Sequence, residues 1–122
     1  MADSPEIDDI YSLTPLQQGL LFHSLWEPGA RSYFTQIRLE IVGALDVAAF
    51  RRAWENLLRH HPTLRTAFVW EDLPEPFQVV RSAGAVKLPF VELDWRSMDP
   101  ANETEALDQF FCADYEKGFD LA

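Results

Sequence analysis

The change of hydrophobic period between residues 45 and 81 constrains this chain more than any other feature. Phe50, Ala53, Trp54, Leu57 and Leu58 recur at i, i+3, i+4, i+7 and i+8, which lines them along one face of a helix. Arg51, Arg52, Glu55 and Arg59 fall largely on the opposite side. Asp46 stands where an N-cap belongs, Leu45 and Phe50 are spaced for a hydrophobic staple, and Pro62 stops the helix from continuing. The segments 64–70 and 77–81 then read as strands, joined through a proline-containing turn at 71–76 that is short enough for a hairpin. A helix with one apolar stripe, followed by a hairpin, has to bury that stripe against another layer.

The flanking sequence supplies candidates for that layer. Thr14, Pro15 and Gln17 form a Thr-x-x-Gln capping box with proline at the first helical position. The helix they open runs to about Trp26 and is apolar on more than one face, through Leu16, Leu20, Leu21, Phe22 and Leu25. Glu27-Pro28-Gly29 ends it. Thr35, Ile37, Leu39 and Ile41 alternate with Gln36, Arg38 and Glu40, so residues 33–42 read as a half-exposed strand. Residues 88–94 suggest one more extended segment. A third helix is expected from Pro100 to Lys117, burying Leu107, Phe110 and Phe111, with Gly118 as its stop. Residues 1–9 read as a loose acidic lead-in. The expectation is an α/β or α+β sandwich with no internal repeat and no dividing linker.

At 122 residues the chain is long enough for one domain with a core. An apolar content of 48% argues against disorder. The formal charge of −10 argues against a nucleic-acid partner, whose phosphates call for a basic surface. Most of the basic side chains lie between Arg31 and Arg65. Cys112 is the only cysteine, so an internal disulfide is impossible and a reducing compartment is the natural home. The acidic first residues lack the apolar run of a secretory signal, and no stretch approaches the roughly 18 apolar residues of a membrane span. A cytoplasmic protein without a membrane contact is expected.

Four groups of residues invite a functional reading. Gln17, Gln18, Gly19 and His23 interrupt an otherwise apolar helix. A glycine there either permits tight helix packing or lets a substrate or another backbone approach, and His23 either finds a local hydrogen bond or serves a site. Arg59, His60 and His61 close the second helix, where cations meet the exposed carbonyls. Neighbouring helical residues point about 100° apart, so His60 and His61 do not converge on one metal ion, and no third ligand stands at a recognisable spacing. Arg65 shares a strand face with Ala67 and Val69. Burying an unpaired charge is too costly, so this arginine is either bridged to a carboxylate or placed for contact with a substrate. The acids between Asp99 and Asp120 read as the wet face of the third helix.

Two runs carry a resemblance. Residues 12–25 read Ser-Leu-Thr-Pro-Leu-Gln-Gln-Gly-Leu-Leu-Phe-His-Ser-Leu, and residues 61–68 read His-Pro-Thr-Leu-Arg-Thr-Ala-Phe. In this order they resemble the first two signature motifs of the condensation domains of nonribosomal peptide synthetases. In the second, Pro62 replaces an acidic residue of the family pattern, and His60 stands where arginine is common. The closing Gly-Phe-Asp-Leu resembles the family's Phe-Asp-Leu, which precedes the strand leading to the catalytic motif His-His-x-x-x-Asp-Gly.

The resemblance implies the first part, residues 10–122, of the N-terminal lobe of a fold like chloramphenicol acetyltransferase, incomplete at its C-terminal end. Two such lobes form a V around a tunnel, and phosphopantetheine arms of carrier proteins enter it from opposite sides. The second histidine of the catalytic motif assists attack of the acceptor amine on the donor thioester. The chain would then join no peptides by itself. It would bind no cofactor directly, partner carrier proteins and neighbouring synthetase domains, and associate with itself. Gln17, Gln18, Gly19, His23, His61 and Arg65 would support the tunnel or active-site floor, and the Gly-Leu-Leu-Phe-His form points to a D-configured donor. Two other classes stay open: a docking module whose Arg51, Arg52 and Arg59 meet an acidic carrier protein, and a stand-alone acyltransferase using His23, His60 or His61.

Overall fold

The computed structural model describes residues 6–29 and 31–122. Their elements are β1 (Ile7–Ser12), α1 (Pro15–Trp26), α2 (Val47–His60), a 3₁₀ turn (Pro62–Arg65), β2 (Thr66–Val69), β3 (Phe77–Arg81) and α3 (Pro100–Lys117). Among the described residues the chain is a small α+β protein with one three-stranded sheet, ordered β1-β3-β2. Its internal contacts fall into two compact units. One holds the described residues up to Gly19 together with Ile41–Phe90 and Leu121–Ala122; the other holds those of Leu20–Glu40 and Val91–Asp120.

In the first unit β3 pairs antiparallel with both neighbours, Val80 lying opposite Asp9 on one side and Thr66 on the other. Successive side chains of a strand point to opposite faces. Val79 and Val80 are both buried, so both faces of this central strand are covered. Burying a valine side chain contributes roughly 1.5–3 kcal/mol. Among the described residues Leu13, just past β1, is the other buried apolar side chain of this unit, and Leu21 is the one in the second. At the outer edge of β2, the Phe68 N–H donates to the Leu121 carbonyl at 2.8 Å.

The caps form as their residues dictate. Thr14 and Gln17 satisfy each other: the Gln17 N–H donates to Thr14 Oγ1 at 3.3 Å, and the Thr14 N–H to Gln17 Oε1 at 2.9 Å. Asp46 accepts from the Ala49 N–H, and Asp99 from the Ala101 N–H, each at 2.9 Å.

Several expectations need correction. The strand Ile7–Ser12 begins within residues 1–9, which read as an acidic lead-in, because pairing with β3 overrides the lack of alternation there; the part of the lead-in before Glu6 lies outside the described residues. Residues 33–42 alternate but form no strand, since no neighbouring strand pairs with them, and 88–94 is likewise irregular. Pro62–Arg65 winds as a 3₁₀ turn, so β2 starts at Thr66 and Arg65 precedes the strand. The apolar stripe of α2 is laid out as expected, yet Phe50, Trp54 and Leu57 stay exposed, as does Phe110 of α3.

In the second unit Gly118 ends α3 at φ 62°, and its N–H donates to the Asp114 carbonyl at 3.1 Å. A Cβ built there would lie 2.7 Å from the guanidinium carbon of Arg31, whose Nη2 donates to the Glu116 carbonyl at 2.8 Å. Gly118→Ala is therefore expected to destabilise the chain by about 1 kcal/mol or more, from backbone strain plus loss of the Arg31 contact. Thermal unfolding of the variant checks this; a melting temperature equal to wild type would show that the end of α3 adds nothing to stability.

Candidate functional site

The most highly connected polar residue of the first unit is Arg65. It is the one buried charged side chain among the described residues, 7% exposed, and the 3₁₀ turn aims it back beneath the sheet and α2. Its Nε donates to the Leu58 carbonyl at 3.0 Å and its Nη2 to the Arg59 carbonyl at 3.3 Å, which takes up two acceptors at the end of α2. Nη1 donates to the Arg81 carbonyl at the end of β3 and to Asp8 Oδ2 of β1, the latter at 2.8 Å. One planar fork thus ties together β1, β3 and α2. A guanidinium suits this task because its donors leave in fixed, divergent directions. Beside Asp8, the Asp9 carboxyl is held below its usual range by the Tyr11 hydroxyl and the Ile10 N–H, and the same contact raises the Tyr11 phenol.

The two glutamines of α1 are also engaged. Gln17 and Gln78 face each other with reciprocal amide contacts at 3.3 Å, joining the first turn of α1 to β3. Gln78 Nε2 also donates to the Ser12 carbonyl at 3.1 Å, and Gln18 Nε2 to the Leu13 carbonyl at 3.4 Å. These amides fix how the chain leaves β1 and enters α1.

The structure does not gather the remaining candidates around this centre. Gly19 has nothing among the described residues within 4 Å of a hypothetical Cβ, so it serves no close packing among them. His23, in the second unit, is exposed and packs edge-on to Phe22, with ring centroids 5.9 Å apart. His60 is exposed, its Nδ1 2.8 Å from the Asn56 carbonyl oxygen. His61 caps α2 through its backbone, its N–H donating to the Leu57 carbonyl at 2.9 Å. No group of three potential metal ligands occurs among the described residues.

Residues 7–122 match the family model of the condensation domain. The chain belongs to the condensation domain family. It is 43% identical to one of the linear gramicidin synthase proteins of Brevibacillus parabrevis over 96% of its own length, which is 2% of that protein. It is 34% identical to surfactin synthase subunit 2 of Bacillus subtilis (strain 168) over 95% of its length, 3% of that protein. Tyrocidine synthase 2 of Brevibacillus parabrevis is 32% identical, over 96% of this chain and 3% of its own. The chain therefore spans only a few per cent of the curated relatives it matches.

Within this condensation-domain sequence the two motifs are distinguishable by what they hold. The first supplies the capping box and the Gln17–Gln78 link; the second supplies an exposed backbone cap, His61, and the buried fork of Arg65. The adjacent pair His60-His61 is followed by arginine and threonine at positions 65 and 66, where the catalytic motif carries aspartate and glycine. Asp8 and Gln78 are the partners that reading the sequence missed. Asp8 sits among charges with no alternating pattern, and Gln78 gains its role only from the pairing of β1 with β3. No helix of the described residues is long and apolar enough to cross a membrane.

Proposed function

We propose that this chain forms the first part of the N-terminal lobe of a peptide-synthetase condensation domain, whose parent joins a carrier-bound donor to an aminoacyl acceptor through an amide bond. The family match supports the reaction class. The observation that carries the more specific reading is the buried Arg65 fork, because it gives the second motif an architectural task in place of a chemical one. Arg65, Gln17 and Gln18 hold the floor on which the catalytic motif would stand, and His61 sets the junction from α2 to β2. The lobe is of the chloramphenicol-acetyltransferase type, the protein works in the cytoplasm, and its donor is D-configured.

Phosphopantetheine reaches such a lobe on carrier-protein partners. The glutamine donors of the first motif are already engaged, Gln17 with Gln78 and Gln18 with the Leu13 carbonyl, so no residue of this chain is assigned to hold the arm. His23, His60 and His61 form no ion pair with a carboxylate among the described residues, which disfavours any of them as an oriented general base.

The isolated chain, mixed with loaded donor and acceptor carrier proteins, is expected to form no amide product. A parent lobe that includes His-His-x-x-x-Asp-Gly is expected to form it, faster with a D- than an L-configured donor. Product from the isolated chain that disappears in His23→Ala or His61→Ala would overturn the proposal and favour a stand-alone acyltransferase.

A further inference from the structure

The sequence groups Arg51, Arg52 and Arg59 on the wet side of α2, but the structure separates them. Arg51 and Arg59 line a cleft of about 360 Å³ between α2 and the segment 83–90, and Arg52 does not. Lys87 lines it from the facing segment, so cations stand on both walls, and Glu55 is the only acid among the described residues lining the space. The cleft therefore carries two net positive charges in a protein of net charge −10. Arg51, Arg59 and Lys87 have no carboxylate partner among the described residues, whose ion pairs are Arg65–Asp8, Arg81–Glu6 and Arg96–Asp94. The Arg51 guanidinium lies 4.6 Å from the centre of the Phe90 ring, a cation–π contact that holds its fork at the cleft wall.

We propose that this cleft binds a phosphate group in its dianionic form. Its charge balances that of the wall, and its oxygens suit two guanidinium forks and an ammonium, whose charge-assisted hydrogen bonds are the strong ones. The volume lies at the small end of ordinary ligand sites, large enough for a phosphate with an organic group against Phe90. The site rests on its own geometry and is independent of the reading given under Proposed function.

Titration calorimetry at fixed ionic strength and pH 7.5, with inorganic phosphate and with phenyl phosphate, tests this. Saturable one-site binding is expected. Arg51→Gln and Lys87→Gln are each expected to weaken it about tenfold with melting unchanged, the usual scale for one charge-assisted bond. Arg52→Gln should leave it alone. Equal affinity for the two probes identifies free phosphate as the ligand, and markedly tighter phenyl phosphate identifies a phosphate ester. Lowering the pH to 5.5 protonates the dianion of phenyl phosphate, an ester whose second pKa is about 6, and of inorganic phosphate, which takes up its proton at higher pH still, and should weaken binding of both. The charged groups facing the ligand are Arg51, Glu55, Arg59 and Lys87. No saturable binding, equal losses in Arg52→Gln, or affinity that rises toward pH 5.5 would overturn the proposal.

Discussion

Arg65→Ala is expected to destabilise this chain by about 3 kcal/mol, more than loss of any exposed arginine. The figure follows from the partners. Removing the side chain takes the donors from the Leu58, Arg59 and Arg81 carbonyls as well as from Asp8. The ion pair is the smaller part of the effect. The Asp8 side chain is 44% exposed, so water compensates it once the arginine is gone. Asp8→Ala should accordingly cost only about 1 kcal/mol. Arg65→Lys should recover little, because one ammonium cannot reach carbonyls at the ends of α2 and β3 and a carboxylate on β1 together. Chemical denaturation of the three variants measures these differences. Because Asp8 lies in this chain, the loss should appear in the chain itself and not require the aspartate of the catalytic motif. A negligible effect of Arg65→Ala, or one no greater than that of Asp8→Ala, would refute the buried clamp.

At micromolar concentration the chain is expected to self-associate. In the first unit β1 and β2 are the outer strands of a three-stranded sheet; β2 meets Leu121 through one hydrogen bond, no further strand pairs with either among the described residues, and such an open edge is a template for another chain. Ile37 and Leu39 in the second unit are 77% and 79% exposed, and Val42 in the first is 91% exposed, in a segment whose alternation suits a strand but which has no strand partner. Apolar surface of this kind is normally covered in a stable protein. Sedimentation velocity should show a weight-average mass that rises with concentration, and the double variant Ile37→Lys, Leu39→Lys should move the distribution toward monomer. A strictly monomeric wild-type chain with a cooperative melt would show that its core closes without a second copy.

What the sequence by itself determined is the local structure governed by neighbours in the chain. The capping box at Thr14, the Asp46 cap, the stop at Pro62, the β2–β3 hairpin and the run of α3 from Pro100 to Gly118 all depend on residues within a few positions of one another. The motifs in 12–25 and 61–68 were equally legible, and with them the family. Tertiary structure alone decided which extended segments become strands. Ile7–Ser12 pairs because β3 lies beside it, while the better-patterned 33–42 finds no partner, and the hydrogen bonds that define a strand are made between segments distant in sequence. The same reason hid the centre of the site. That Arg65 needs a partner follows from the cost of burying its charge. That the partners are Asp8 and three backbone carbonyls, 57 positions away in the case of Asp8, depends on a sheet order no local pattern records.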